Sequence, residues 1–159
     1  MDELEYVDGS EALSDLIEML LTLDAEVRVQ RGGRYLSERA FFSLVAGVEE
    51  GQHAGSLFGP SLVYEAGVLV GLAYLRWHDA DLGEARHRSA EVFVYVKANM
   101  RNRGIGTLIL EKLKGIARSA DVFELTSVVS PGARSTKSLL ERGAFKGGAI
   151  EMVTYLNRN

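Results

Sequence analysis

The densest grouping of chemically useful side chains in this sequence is Arg101-Asn102-Arg103-Gly104-Ile105-Gly106-Thr107. Two guanidinium groups, two glycines and a hydroxyl stand together there, a composition suited to an anion. Arginine grips phosphate through paired N–H donors. Gly104 and Gly106 would let a phosphate approach the backbone, because no Cβ intervenes. The apolar periodicity that follows places the start of a helix here. The first turn of a helix leaves N–H groups without internal partners, and its dipole draws negative charge to the same point.

Two familiar phosphate loops do not fit. A nucleotide-triphosphate loop needs Lys followed by Ser or Thr directly after its last glycine, whereas Gly106 is followed by Thr107-Leu108. A dinucleotide fingerprint needs a third glycine and a tight strand-to-glycine connection, with an acidic residue ~20 positions later. Glu124 nearly meets the last condition, but Ile109 stands where the third glycine belongs. Lys97 to Arg103 also separate the strand from Gly104.

The elements that must carry this loop are visible on either side. Upstream, Glu91 to Val96 is strongly β-prone and continuously apolar after the glutamate, as expected of a strand covered on both faces. Downstream, Ile105, Leu108, Ile109, Leu113, Ile116 and Ala117 make one helical stripe. Leu4 to Val7 reads as a first strand. Ser10 reads as the N-cap of a helix with apolar Leu13, Leu16, Ile17, Leu20 and Leu21. Arg31-Gly32-Gly33-Arg34 breaks that helix, and Ser37 opens a second one carrying Phe41, Phe42, Leu44, Val45 and Val48. Gly51 to Pro60 reads as a surface loop. Ser61 to Glu65 and Val68 to Trp77 form a hairpin about Ala66-Gly67, and Asp79 to Arg88 is a polar connection. Val122 to Val129 is a strand, Ala133 to Arg142 a helix with Leu139 and Leu140 free to pack, and Met152 to Leu156 a last strand. The expected architecture is one α/β domain over residues 1–159, a mixed, mostly antiparallel sheet with helices on both faces.

Arg101-x-x-Gly104-x-Gly106 behind a strand resembles the acetyl-CoA diphosphate loop of the GNAT superfamily of N-acetyltransferases. The similarity is close from Glu91 to Leu113. It continues more weakly through Leu125–Ser130 and Ser138-Leu139-Leu140-Glu141-Arg142-Gly143-Ala144-Phe145. The resemblance implies a GNAT-like fold and direct attack of an amine on the thioester of acetyl-CoA. It implies that the strand Val92–Val96 splays from Leu125–Val129 and that the pantetheine arm lies in the gap, along Val94, Tyr95 and Val96. Backbone N–H near Val94 or Tyr95 would polarise the carbonyl, and residues 101–107 would hold the diphosphate. Glu91 falls at the family's frequent acidic position and is the first candidate for general base. A strand-end surface charge is the other reading of it. Glu124 is the weaker candidate. Two other expectations stand beside acetyl transfer: a non-catalytic acyl-CoA-binding module and, more remotely, a dinucleotide-binding enzyme.

One departure from the family bears on mechanism. Many members have a tyrosine in the last helix, five residues before the Phe of a Gly-Phe pair, that protonates the departing thiolate; here that position is Leu140. Ala144 replaces the glycine, and Ala133 stands at the usual asparagine. Tyr95, Tyr155 or water are alternative proton donors.

Composition narrows the remaining classes. The chain has 159 residues, a formal net charge of −4 and no cysteine. The absence of cysteine removes thiolate nucleophiles, disulfides and Cys-ligated metals, and His53, His78 and His87 lack metal-ligand spacing. The acidic balance argues against nucleic acid as a partner and suits a cationic amine acceptor. No apolar run reaches the ~20 residues of a membrane span, and Met1-Asp2-Glu3-Leu4-Glu5 does not begin a signal peptide. A cytoplasmic enzyme is expected, with assembly as a homodimer compatible with the sequence.

Overall fold

The computed structural model describes residues 3–31, 56–77, 89–127 and 134–147. The expected helix after Ser37, the connection 79–88, the last strand 152–156 and all three histidines lie outside the described residues. Among the described residues, five strands form one sheet in sequence order: β1 (Leu4–Asp8), β2 (Ser56–Glu65), β3 (Val68–Trp77), β4 (Ser89–Val96) and β5 (Glu124–Thr126). The first four pair antiparallel; β4 and β5 run parallel. The described helices are α1 (Leu13–Arg31), α2 (Ile105–Ser119) and α3 (Arg134–Arg142). This is the mixed, mostly antiparallel α/β sheet that the sequence leads one to expect.

The sheet separates two apolar clusters. On one face Leu16, Met19, Leu20 and Leu23 of α1 pack on Leu62, Leu72 and Tyr95. On the other, Ile105, Ile109, Leu110, Leu113 and Ala117 of α2, with Leu139 and Leu140 of α3, cover Val63, Val70, Leu75, Ala90 and Val92. Each fully buried Leu, Ile, Val or Met side chain among them contributes ~1.5–3 kcal/mol. Successive side chains of β4 alternate between the two clusters, which explains its uninterrupted apolar sequence.

Several sequence expectations need correction. Residues 56–60 are not loop but the first half of β2. The Gly-Pro pair is accommodated by register irregularities around Phe58, the kind of break that lets a strand carry glycine and proline. Ser10 does not cap α1. Its N–H and hydroxyl both bond Asp8 Oδ1, at 2.9 and 2.6 Å, in a local turn, and the helix starts three residues later. Leu21 and Leu108 are exposed, while Met19, Leu23 and Leu110 are buried. On α2 the stripe is turned by α3: Leu110 Cδ2 occupies the space 2.5 Å from where a Cβ on Gly143 would stand. Finally, β5 begins at Glu124, because the Val122 N–H still closes the end of α2 on the Ala117 carbonyl at 2.9 Å.

Candidate active site

The end of β4, the loop after it and one face of α3 enclose a cleft of about 310 Å³. Val94, Tyr95 and Val96 form its strand wall. Met100, Arg101, Asn102, Gly104, Ile105, Gly106 and Thr107 form its floor, and Ser135, Thr136, Ser138, Leu139 and Arg142 close the side of α3. Of the ten cofactor-binding residues expected from sequence, nine line this cleft; Arg103 does not.

The floor is the start of α2. Gly104 stands at the helix N-cap with φ 82°, in the left-handed region, and no side chain caps the turn. The Leu108 N–H closes the first helical bond on the Gly104 carbonyl at 3.1 Å. Helix geometry leaves the N–H groups of Ile105, Gly106 and Thr107 without intrahelical acceptors. The first turn also has no acidic residue. The arrangement presents backbone donors and the positive end of a helix dipole, the features that favour an anion.

Gly106 has a packing reason to be glycine that the sequence does not suggest. A Cβ there would meet Leu139 Cδ2 at 3.1 Å and Val96 Cγ2 at 3.6 Å. The missing side chain lets α3 close on α2 and β4, which shapes the cleft.

Neither loop arginine is an unpaired charge. Arg101 Nη2 meets Glu26 Oε1 at 2.6 Å, and its Nε donates to the Val96 carbonyl at 2.9 Å. Arg103 Nη2 meets Glu65 Oε2 at 2.8 Å. Glu65 is buried, and its Oε1 has no hydrogen-bond partner among the described residues, so Arg103 carries its compensation. Glu26 escaped the sequence reading. Its signal was its place on the α1 stripe Leu16, Met19, Leu20, Leu23, where the next position inward is a carboxylate.

Glu91 lies on β4 three residues before Val94, outside the cleft lining. Extended chain rises ~3.3 Å per residue, which puts it ~10 Å along the strand from the cleft wall. It pairs across the sheet with Arg76: Nη2 and Nε both reach Oε2, at 2.9 and 3.3 Å. Glu124 is exposed and accepts a 3.4 Å bond from Ser89 Oγ. Among the described residues the β4–β5 ladder is short. Ser89–Glu91 pairs with Glu124–Thr126, and beyond it Ser127 Oγ donates to the Val92 carbonyl at 3.1 Å.

The alternative proton donors divide. Leu140 is buried in the core beneath α3 and has no proton to give. The Tyr95 hydroxyl donates to Glu26 Oε2 at 2.7 Å. Burial, then that bond, push the phenol well above its ordinary value, which makes it a weaker acid. Tyr155 lies outside the described residues. Among those residues there is no cluster of metal-ligating side chains, and no helix is long and apolar enough to cross a membrane.

Solved structures with the same fold are numerous. An aminoglycoside N-acetyltransferase, AAC(6')-Iy, in complex with CoA superposes with a TM-score of 0.60 at 16% identity, over 98% of this chain and 94% of that one. The tetramutant of the BH1408 protein from Bacillus halodurans gives 0.72 at 13% identity, over 97% and 99%. A putative acetyl transferase from Pyrococcus furiosus gives 0.62 at 19%, over 97% and 100%. No curated protein matches by sequence. The sequence profile of the Acetyltransferase (GNAT) family matches residues 17–143, from α1 through the cleft to the end of α3, and this chain belongs to that family.

Proposed function

We propose that this acetyltransferase is an N-acetyltransferase that moves an acetyl group from acetyl-CoA to a primary amine. The observation that carries the proposal is the uncapped first turn of α2 opening into the cleft beside the end of β4. The diphosphate of acetyl-CoA fits the backbone donors of Ile105, Gly106 and Thr107, with Asn102 and Gly104 shaping the approach. The pantetheine arm fits the wall formed by Val94, Tyr95 and Val96, where a backbone N–H would stabilise negative charge on the thioester oxygen.

The chemistry is a direct displacement. The amine nitrogen forms a bond to the thioester carbon, the carbon–sulfur bond breaks, and the electron pair leaves as thiolate. Glu91 takes one proton of the substrate ammonium, through water given its distance from Val94, and the second proton leaves the nitrogen after attack and reaches the departing thiolate through water. A thiolate is stable enough near neutral pH to leave without a strong acid, which is consistent with Leu140 where the family often has tyrosine. The acceptor is a small molecule or a protein amine; the acidic chain favours a cationic one.

Leu140 also favours a second reading, an acyl-CoA-binding module without turnover. Thioester consumption separates the two. Acetyl-CoA is incubated with polyamines, amino sugars, amino acids and peptides, and free thiol is measured. Amine-dependent thiol release supports transfer. Tight CoA binding with only slow, amine-independent hydrolysis supports the module.

A further inference from the structure

We infer that Glu26 is a positioning residue for acetyl-CoA binding, and that Arg101 braces the diphosphate loop instead of gripping the phosphate. The inference rests on the acetyl-CoA reading above. Both oxygens of Glu26 are engaged: Oε1 with Arg101 Nη2 at 2.6 Å and Oε2 with the Tyr95 hydroxyl at 2.7 Å. The guanidinium donates from Nε to the Val96 carbonyl at 2.9 Å, and its Cζ lies 5.7 Å from the centroid of the Tyr95 ring. Three parts of the chain, α1, β4 and the loop, therefore meet directly behind the cleft wall.

Moving Arg101 to a phosphate would break these contacts. It would also leave Glu26, with a side chain 22% exposed, without its cation. The loop needs such an anchor. Asn102 has φ 62° and Gly104 φ 82°, two left-handed residues close together. That conformation costs energy in an L-residue and persists only where the flanks over-determine it. The start of α2 fixes one flank; Arg101, tied to β4 and α1, fixes the other. Burial and the bond to Glu26 keep the Tyr95 phenol protonated, so it remains the donor in this arrangement.

The two roles for Arg101 predict opposite signs. Glu26→Gln keeps the size of the side chain and an acceptor for Tyr95 but removes the charge that holds Arg101. If Arg101 is a brace, the loop loosens. The Kd for CoA and the KM for acetyl-CoA then rise about tenfold, as loss of a charge-assisted bond implies, while the KM for the amine stays put. The double variant Glu26→Gln/Arg101→Gln is then no worse than the poorer single variant, because both act through one contact. If Arg101 is a phosphate ligand held back by Glu26, Glu26→Gln frees it and CoA binds more tightly. Calorimetric titration of CoA into each variant reads the sign. Arg101→Lys gives a second test should Glu26→Gln fold poorly. A lysine serves a phosphate but cannot pair with Glu26 and bond Val96 in the same geometry, so the brace predicts weaker binding. Tighter or unchanged CoA affinity in a folded Glu26→Gln or Arg101→Lys protein overturns this inference and leaves the acetyltransferase proposal intact. A wild-type protein that binds no CoA overturns both.

Discussion

Gly104 and Gly106 stand two residues apart in the same motif, yet the structure gives them different tasks and different expected costs. At Gly104 the backbone has φ 82°. An alanine held in the left-handed region costs ~1–2 kcal/mol. A domain of this size loses ~2–4 °C in Tm per kcal/mol, so Gly104→Ala should unfold roughly 2–8 °C below wild type. At Gly106 the residue is already helical, and alanine gains up to ~1 kcal/mol of helix propensity. Against that gain, the new Cβ meets Leu139 Cδ2 at 3.1 Å, and Leu139 must yield by a few tenths of an ångström. The two effects nearly cancel, so Gly106→Ala should stay within about 2 °C of wild type. Gly106→Val adds more bulk against Leu139 and should cost ~1–3 kcal/mol by overpacking. Thermal unfolding of the three variants, with CoA titration of each, tests this. CoA should bind more weakly to Gly104→Ala because the left-handed turn relaxes. An unperturbed Gly104→Ala alongside a strongly destabilised Gly106→Ala would contradict these two roles.

Other outcomes follow from single contacts. Gly71→Ala should be strongly damaging, since its Cβ would stand 2.4 Å from the Tyr95 carbonyl oxygen of the neighbouring strand; a loss of more than ~2 kcal/mol in chemical denaturation is expected. Glu91→Gln should lower the rate of transfer ~10²–10⁴-fold at neutral pH with CoA affinity nearly unchanged, and partial recovery should appear at higher pH as more of the amine is already deprotonated. Alkaline unfolding should depend on Tyr64, whose phenol donates to Asp15 Oδ2 at 2.6 Å and is pushed from 10.0 up to about 12, chiefly by burial. Because the folded value lies above the unfolded one, its contribution is complete below pH ~10 and is lost as pH rises toward 12. Tyr64→Phe should therefore flatten that limb of the stability–pH curve, and an unchanged limb would remove Tyr64 as a cause.

The parts of the fold legible in the sequence are those written in periodicity. The runs of β4 and α2, the turn at Ala66-Gly67 and the packing of Leu139 and Leu140 could be read because each has one regular period. The junction at residues 101–107 was legible because its glycines and arginines stand between a β-prone run and a helical stripe, and the structure puts a helix start and a cleft there. What escaped depends on neighbours distant in sequence. Residues 56–60 carry loop-like glycine and proline, but their pairing with β3 makes them strand. The faces of α1 and α2 were misjudged at Leu21 and Leu108, because the choice between adjacent stripes is made by what packs against them. The charges of Arg101 and Arg103 read as free for a ligand, since Glu26 and Glu65 lie far away along the chain and meet them only in the fold.

The most direct measurement of the central claim is thermal unfolding in the presence of acetyl-CoA, with NAD as the comparison. A ligand that binds only the folded state at 100 times its Kd stabilises by ~2.7 kcal/mol, roughly 5–10 °C for a domain of this size. Acetyl-CoA should produce a concentration-dependent rise of that order, and NAD should produce none. Stabilisation by NAD with no response to saturating acetyl-CoA would contradict the assignment of the cleft at Arg101–Thr107.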